Sequence, residues 1–244
     1  MMETAVENNE FEKVNIVSGA QSEGNTALIM PNDYKEDEYY VIELPKNLKE
    51  KPVYDFLKRA FDIVASFIAL IILAIPMLVI AGIIKMTSPG PVLYKQERLG
   101  LNGLKFNILK FRSMYVDAEK AGARWSEGDN DERITPFGHI LRNFRLDELP
   151  QLLCVLKGTM SLIGPRPERE CFYDIFEKHV FGFSNRLAVK PGITGLAQVC
   201  GGYDLAPHEK AKYDMEYIGK RSILFDIKIM LKTVVVIFTH DGAK

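Results

Sequence analysis

The chain has 244 residues, 47% of them apolar, which fits one domain plus an appendage and excludes a wholly disordered protein. Its net charge of −1 hides an asymmetry. Residues 1–50 carry 4 Lys against 11 Asp and Glu, a net −7, and the rest carries 27 Lys and Arg against 21 Asp and Glu, a net +6. A basic body behind an acidic arm suits anionic headgroups, phosphorylated substrates or nucleic acid. Only one stretch is apolar enough to enter a bilayer, which excludes a multi-helix transporter.

Residues 1–50 show little periodicity and predict an acidic, mostly disordered arm, with one short strand at Tyr39–Leu44. The acidic start and the late onset of apolar residues predict no secretory signal peptide. Residues 51–90 hold the membrane candidate. Ile63 to Ile84 is 22 residues without a charge. As a straight helix that is about 33 Å, enough to cross a core of about 30 Å. Pro76 opposes a simple span, because it removes a backbone hydrogen bond and bends the helix. Each leg alone is too short to cross. Lys58 and Arg59 flank one end, and Lys85, Lys95 and Arg98 the other. Lys and Arg prefer the cytoplasmic side. A span would push one cluster outside, whereas a helix that enters, bends at Pro76 and returns keeps both inside. The charges favour this re-entrant form.

Ser88-Pro89-Gly90-Pro91 closes the segment. Two alternating runs follow, joined by Leu101-Asn102-Gly103, and predict a β-hairpin. They present Lys95, Arg98, Lys105, Lys110 and Arg112. A solvated basic face explains these residues; beside a membrane anchor they also suit phosphates. Residues 117–133 are polar and predict a helix followed by a loop. The spacing predicts a helix over 136–144 and a second from Asp147 to just before Gly158, with Pro150 in its first turn. Asp147 and Glu148 then sit at a helix N-terminus, which favours anions. On spacing alone Asp147 is first an N-cap. Pro165 and Pro167 stiffen the loop around Arg166, so its guanidinium has little entropy left to lose. Pro167 suits the start of a helix carrying Phe172, Ile175, Phe176, Val180 and Phe183, a stripe that reads as core. Pro191, Gly192, Gly195, Gly201 and Gly202 mark a loop where backbone approaches something closely, a neighbouring strand included. Residues 208–239 predict two amphipathic helices. Cys154, Cys171 and Cys200 form no C-x-x-C, and His139, His179, His208 and His240 form no cluster, so any metal would be held by oxygens.

Several motifs occur in one order: Lys58-Arg59-x-Phe61-Asp62, the Pro-broken apolar hairpin, Lys110-Phe111-Arg112-Ser113-Met114, Arg142 followed by Leu146-Asp147-Glu148-Leu149-Pro150-Gln151, Gly164-Pro165-Arg166-Pro167, and Pro191-Gly192-Ile193-Thr194-Gly195. Across residues 55–239 this succession resembles the bacterial sugar transferases, the monotopic polyprenyl-phosphate phosphoglycosyl transferases that initiate polysaccharide or glycoconjugate synthesis. Ser113 stands where many members have Thr. The resemblance implies an α/β, mostly helical fold. A Pro-broken re-entrant membrane helix would precede a compact cytoplasmic catalytic domain over 91–244, with a small β-hairpin and interfacial amphipathic helices. It implies the small catalytic form, without the four-helix membrane domain of larger members, on the cytoplasmic face of the bacterial inner membrane.

The implied reaction moves a sugar-1-phosphate from a UDP-sugar to undecaprenyl phosphate and releases UMP. It runs through a covalent phospho-sugar on an Asp and needs Mg2+. By motif, Asp147 is the nucleophile, and Glu148 assists as metal partner or base. Lys110, Arg112, Arg142 and Arg166 bind substrate phosphate. The implied partners are the UDP-sugar, undecaprenyl phosphate and membrane lipids. No nucleic-acid-binding motif or aromatic–basic interleaving is present. The sugar, the glycan and any homo-oligomer stay open. A membrane-anchored scaffold without catalysis would explain the anchor and the charge, but not Asp-Glu beside a rigid Arg loop.

Overall fold

The apolar run folds as one helix, α1, over Pro52–Thr87. The computed structural model describes residues 39–46, 48, 50–118, 131–201 and 205–239. Most of the expected arm, and most of the helix and loop expected over 117–133, lie outside these residues. The sequence predicts a helix broken at Pro76. The 36-residue α1 is instead unbroken across it. The middle of α1 is bare. Phe67, Ile71, Ile72, Ile75 and Leu78 are exposed, Ile75 at 75%. Its most apolar window is only 11% buried. Such a surface suits a bilayer better than water.

The two legs of α1 touch the remaining structure. In the first, Arg59 donates to Val155 O at 2.6 Å and Leu156 O at 2.8 Å, and Tyr54 and Lys58 each reach Asp226 Oδ2 at 2.9 Å. In the second, Ile80 and Ile84 pack with Phe111 and Leu141.

β2 (Leu93–Leu99) and β3 (Lys105–Phe111) form the expected antiparallel hairpin, Leu93 opposite Phe111 and Leu99 opposite Lys105. Asn102 at φ 55° and Gly103 at φ 75° supply its left-handed turn. α2 (Pro136–Asn143) is capped by Thr135, whose hydroxyl accepts from Gly138 N–H at 2.9 Å. α3 (Gln151–Lys157) ends on Gly158 at φ 88°. β4 (Ser161–Ile163) pairs in parallel with β6 (Gly192–Thr194). The glycine-marked loop is built for that strand: a Cβ on Gly192 would lie 2.1 Å from Gly164 N, and one on Gly195 2.2 Å from Gly164 O.

The expected helix from Pro167 is shorter. Proline favours extended backbone before it, and α4 covers only Glu170–Phe176. Glu177 then accepts from the N–H groups of Gly182 and Ser184, and Gly182 turns the chain at φ 86°. Phe172, Phe176, Val180 and Phe183 nevertheless meet in one core cluster, as the stripe predicts. Ile42 joins it, following β1 (Tyr40–Val41), which runs parallel to β5 (Val180–Phe181). α5 (Leu196–Cys200) leads to the two predicted C-terminal helices, α6 (Pro207–Lys220) and α7 (Ile223–Thr239). All three cysteines are free.

Candidate active site

Asp147 and Glu148 lie in a single 3-10 turn, Leu146–Glu148, one turn ahead of α3. The predicted N-cap role for Asp147 is therefore corrected: α3 opens at Pro150, without a side-chain cap. Before the turn, Arg145 adopts φ 54°, left-handed backbone that costs a non-glycine residue about 1–2 kcal/mol. Such strain persists only where neighbours fix the chain. Here Leu146 and Leu149 pack against the cluster around Ile84 and Phe111, on either side of the two acids.

Both carboxylates are buried, Asp147 at 7% exposure and Glu148 at 6%. Their partners differ. Arg166 brings its fork to Glu148, Nη2 at 2.5 Å from Oε1 and Nη1 at 3.3 Å from Oε2, and Lys110 Nζ lies 2.9 Å from Oε1. Among the described residues, the cation nearest Asp147 in an ion pair is distant, Lys110 Nζ at 4.0 Å from Oδ2. Burial opposes the charge on Glu148, but Arg166 and Lys110 outweigh it and hold the carboxyl well below the usual range. Burial wins at Asp147 and pushes it up; Lys110 and Arg142 pull it down, and the negative Glu148 adds to the rise. This is opposite in sign to the helix-dipole expectation, because the acid sits in a buried turn rather than on a helix end.

The structure thus gathers Lys110 from β3, Arg142 from α2, Arg166 from the Pro-flanked loop, and the two acids. Arg112 goes elsewhere. Its Nη2 donates to Ser88 O at 2.8 Å and Ser88 Oγ at 2.6 Å, at the negative end of α1. Gly90 makes room: a Cβ there would meet Arg112 Nη1 at 2.4 Å. Pro76 lies in the bare stretch of α1, away from the acids.

Sequence reasoning missed two residues. Glu168, beside Pro167, accepts from Arg98 Nη1 at 2.9 Å, and the same nitrogen reaches Pro167 O at 3.1 Å. Arg98 thereby braces the Arg166 loop from the hairpin. The signal was an acid directly after the Pro-Arg-Pro triplet. The second is Asp62, quoted within a motif but given no task.

Among the described residues no group of three or more His, Cys, Asp or Glu could hold a metal. Asp147 and Glu148 offer hard oxygens, and Asp147 is the freer of the two. That donor set fits a magnesium ion shared with substrate phosphates rather than an all-protein cage.

The profile of the bacterial sugar transferase family matches residues 53–240. The chain belongs to that family. Relatives include the UDP-N-acetylgalactosamine-undecaprenyl-phosphate N-acetylgalactosaminephosphotransferase of Aeromonas hydrophila, 43% identical over 81% of this chain and 47% of the relative. The UDP-glucose:undecaprenyl-phosphate glucose-1-phosphate transferase of Caulobacter vibrioides is 40% identical over 78% of this chain and 72% of its own. The exopolysaccharide production protein PSS of Rhizobium leguminosarum is 43% identical over 73% of this chain and 94% of its own. This family member spans about half the length of the Aeromonas protein. All the acids and cations gathered at the site fall inside the matched region.

Proposed function

We propose that this chain is a membrane-anchored phosphoglycosyl transferase. It moves a sugar-1-phosphate from a UDP-sugar to undecaprenyl phosphate, the first membrane step of making an exopolysaccharide, capsule, O-antigen or protein-linked glycan. The observation that carries this reading is the unequal acid pair: Glu148 clamped by two cations, Asp147 bare beside it. A carboxylate without hydrogen bonds is free to attack, and the cations lower the repulsion between it and a pyrophosphate. An Asp147 oxygen forms a bond to the sugar-bearing phosphorus, and the bond to the bridging oxygen breaks, so UMP leaves with the electron pair. An oxygen of the lipid phosphate then attacks the same phosphorus and frees Asp147. Glu148, held ionised by Arg166 and Lys110, is a poor proton acceptor near neutral pH. Its part is to seat those cations around Asp147. A magnesium ion on Asp147 and Glu148 oxygens would supply further charge neutralisation.

The re-entrant anchor belongs to the same reading. Arg59 and Ile84 are 25 residues apart in sequence, about 38 Å in a straight helix. Yet Arg59 binds Val155, which packs with Ile108, and Ile84 packs with Phe111. Ile108 and Phe111 are only about 10 Å apart along β3. Two legs on so small a patch favour a bend near Pro76, with the bare middle in lipid. α7 supports an interfacial placement, with Leu224, Leu231 and Val235 exposed beside Lys228 and Lys232.

Purified protein with a panel of UDP-sugars, undecaprenyl phosphate and magnesium should release UMP, and a chelator should stop it. Absence of UMP with every sugar would return the chain to a scaffold. For the anchor, Glu50→Cys and Lys95→Cys in a cysteine-free background should both label from the cytoplasmic side. Labelling of either from outside would establish a span.

A further inference from the structure

α1 carries one acid where its neighbours face outward. Asp62 is 3% exposed, while Phe61 beside it is 46% exposed. Its Oδ1 accepts the backbone N–H of Leu162 at 3.0 Å, in β4. β4 runs directly into Gly164-Pro165-Arg166. The chain between Leu162 and Arg166 is pinned at each step. Ile163 O accepts the Tyr217 hydroxyl at 3.2 Å, Gly164 N–H donates to Thr194 O at 2.8 Å, and Pro165 O accepts Gly192 N–H at 2.9 Å. The next residue is the guanidinium that forks onto Glu148. Three residues before Asp62, Arg59 holds the last carbonyls of α3, the helix that follows the two acids. One leg of the membrane helix thus grips both carriers of the site.

We propose that Asp62 is a positioning residue: by holding Leu162 it sets where Arg166 meets Glu148, so the anchor helix is part of the active-site scaffold. The hydrogen bond is buried and needs an acceptor oxygen at that one place, so it fixes Leu162 against α1. A displacement of about 1 Å in a catalytic group can cost about 100-fold in rate. The catalytic consequence rests on the transferase reading; the effect on the loop does not.

Hydrogen–deuterium exchange on the full chain in lipid nanodiscs reads the loop directly. Peptides covering 161–167 should exchange faster in Asp62→Ala and at the wild-type rate in Asp62→Asn, whose amide oxygen still accepts. In the UMP assay Asp62→Ala should lose roughly 10- to 100-fold in kcat/KM. On an Arg166→Ala background the same change should cost far less, since the residue it positions is gone. Asp62→Glu keeps the charge but misplaces the carboxylate, so it should be impaired although Asp62→Asn is not. That pair decides the matter even where Asp62→Ala does not fold. Unchanged exchange in Asp62→Ala, additive losses in the double variant, or Asp62→Asn impaired with Asp62→Glu intact would each overturn the proposal. Failure of the wild type to release UMP would remove the transferase reading, while the exchange result still decides the positioning role.

Discussion

Arg186 and Asp214 meet in the core: Arg186 Nε lies 2.9 Å and Nη2 2.6 Å from Asp214 Oδ2, and both residues are almost wholly buried. Asp147 and Glu148 are buried nearly as deeply, yet their cations are shared unevenly, with Glu148 holding two and Asp147 neither at hydrogen-bond distance. Both regions place charge largely out of water, at a cost that pairing must offset. In the core each charge has the other at hydrogen-bond distance, although burial still pushes the Asp214 carboxyl up. In the turn one acid takes the hydrogen bonds and leaves its neighbour with cations only at a distance, too weak to offset its burial. A fold gains nothing from the second arrangement. A site that needs an ionised, unencumbered nucleophile does.

The contrast breaks most sharply at Asp147. Asp147→Asn should lower kcat/KM by about three orders of magnitude or more, because the amide is nearly isosteric and a poor nucleophile. Its melting temperature should stay level or rise. Burial raises the folded-state pKa of Asp147, so its charge is penalised by folding at neutral pH, and Asn removes that penalty. Arg186→Met should do the reverse. It strands Asp214 and should cost about 3–5 kcal/mol in unfolding free energy, with UMP release per folded molecule near wild type. Adding Asp214→Leu should restore most of the loss, since an apolar pair can replace a buried ion pair. An Asp147 variant that unfolds, or an Arg186 variant that is stable, would erase the distinction.

Arg166 stands between the two regions. The resemblance implies a phosphate ligand, and the structure ties Arg166 to an acid of the site itself. Arg166→Ala should cost about 1.5–3 kcal/mol of transition-state binding, one to two decades in kcat/KM. Prolines on both sides, and Arg98 on Pro167 O, hold the loop without it, but buried Glu148 would keep only Lys110, so the melting temperature should fall modestly as well. Arg166→Lys should recover only part, lacking the planar fork. A large drop in melting temperature with kcat/KM intact would make Arg166 structural.

What the sequence shows and what it hides divide along local and long-range lines. The hairpin was legible because Asn102-Gly103 demands left-handed backbone, and α3 because Gly158 ends it. The acid pair, Lys110 and Arg166 were legible as motifs. Arg112 was not: its path to Ser88 depends on the space left by Gly90, 22 residues earlier. The division of labour between Asp147 and Glu148 was also hidden, since it depends on cations from β3 and from the loop after β4. Asp62 reads as one more polar residue at the edge of an apolar helix until Leu162, 100 residues on, is folded against it.

The smallest effect is a pair of opposite shifts in the pH profile. The acid limb of kcat/KM should rise as Asp147 ionises, with an apparent pKa above the ordinary value of about 3.9; it belongs to the coupled acids as a pair. Burial, the largest influence on Asp147, is left alone by either of two substitutions. Glu148→Gln removes a negative neighbour that raises Asp147, so the limb should move to lower pH. Arg166→Ala removes a positive neighbour that lowers Asp147, so the limb should move to higher pH. Both variants will be slow, but a limb is located by its position and not its height, so a residual rate suffices. Stability gives an independent reading of the partner acid. Glu148 is held below its unfolded value, so its contribution is present above that value and is lost as pH falls through the folded one. The gap in unfolding free energy between wild type and Glu148→Gln should therefore be constant near neutrality and shrink only in acid. Limbs that move the same way in both variants, or a gap that opens in acid, would mean that the clamped acid and the bare one have been assigned the wrong way round.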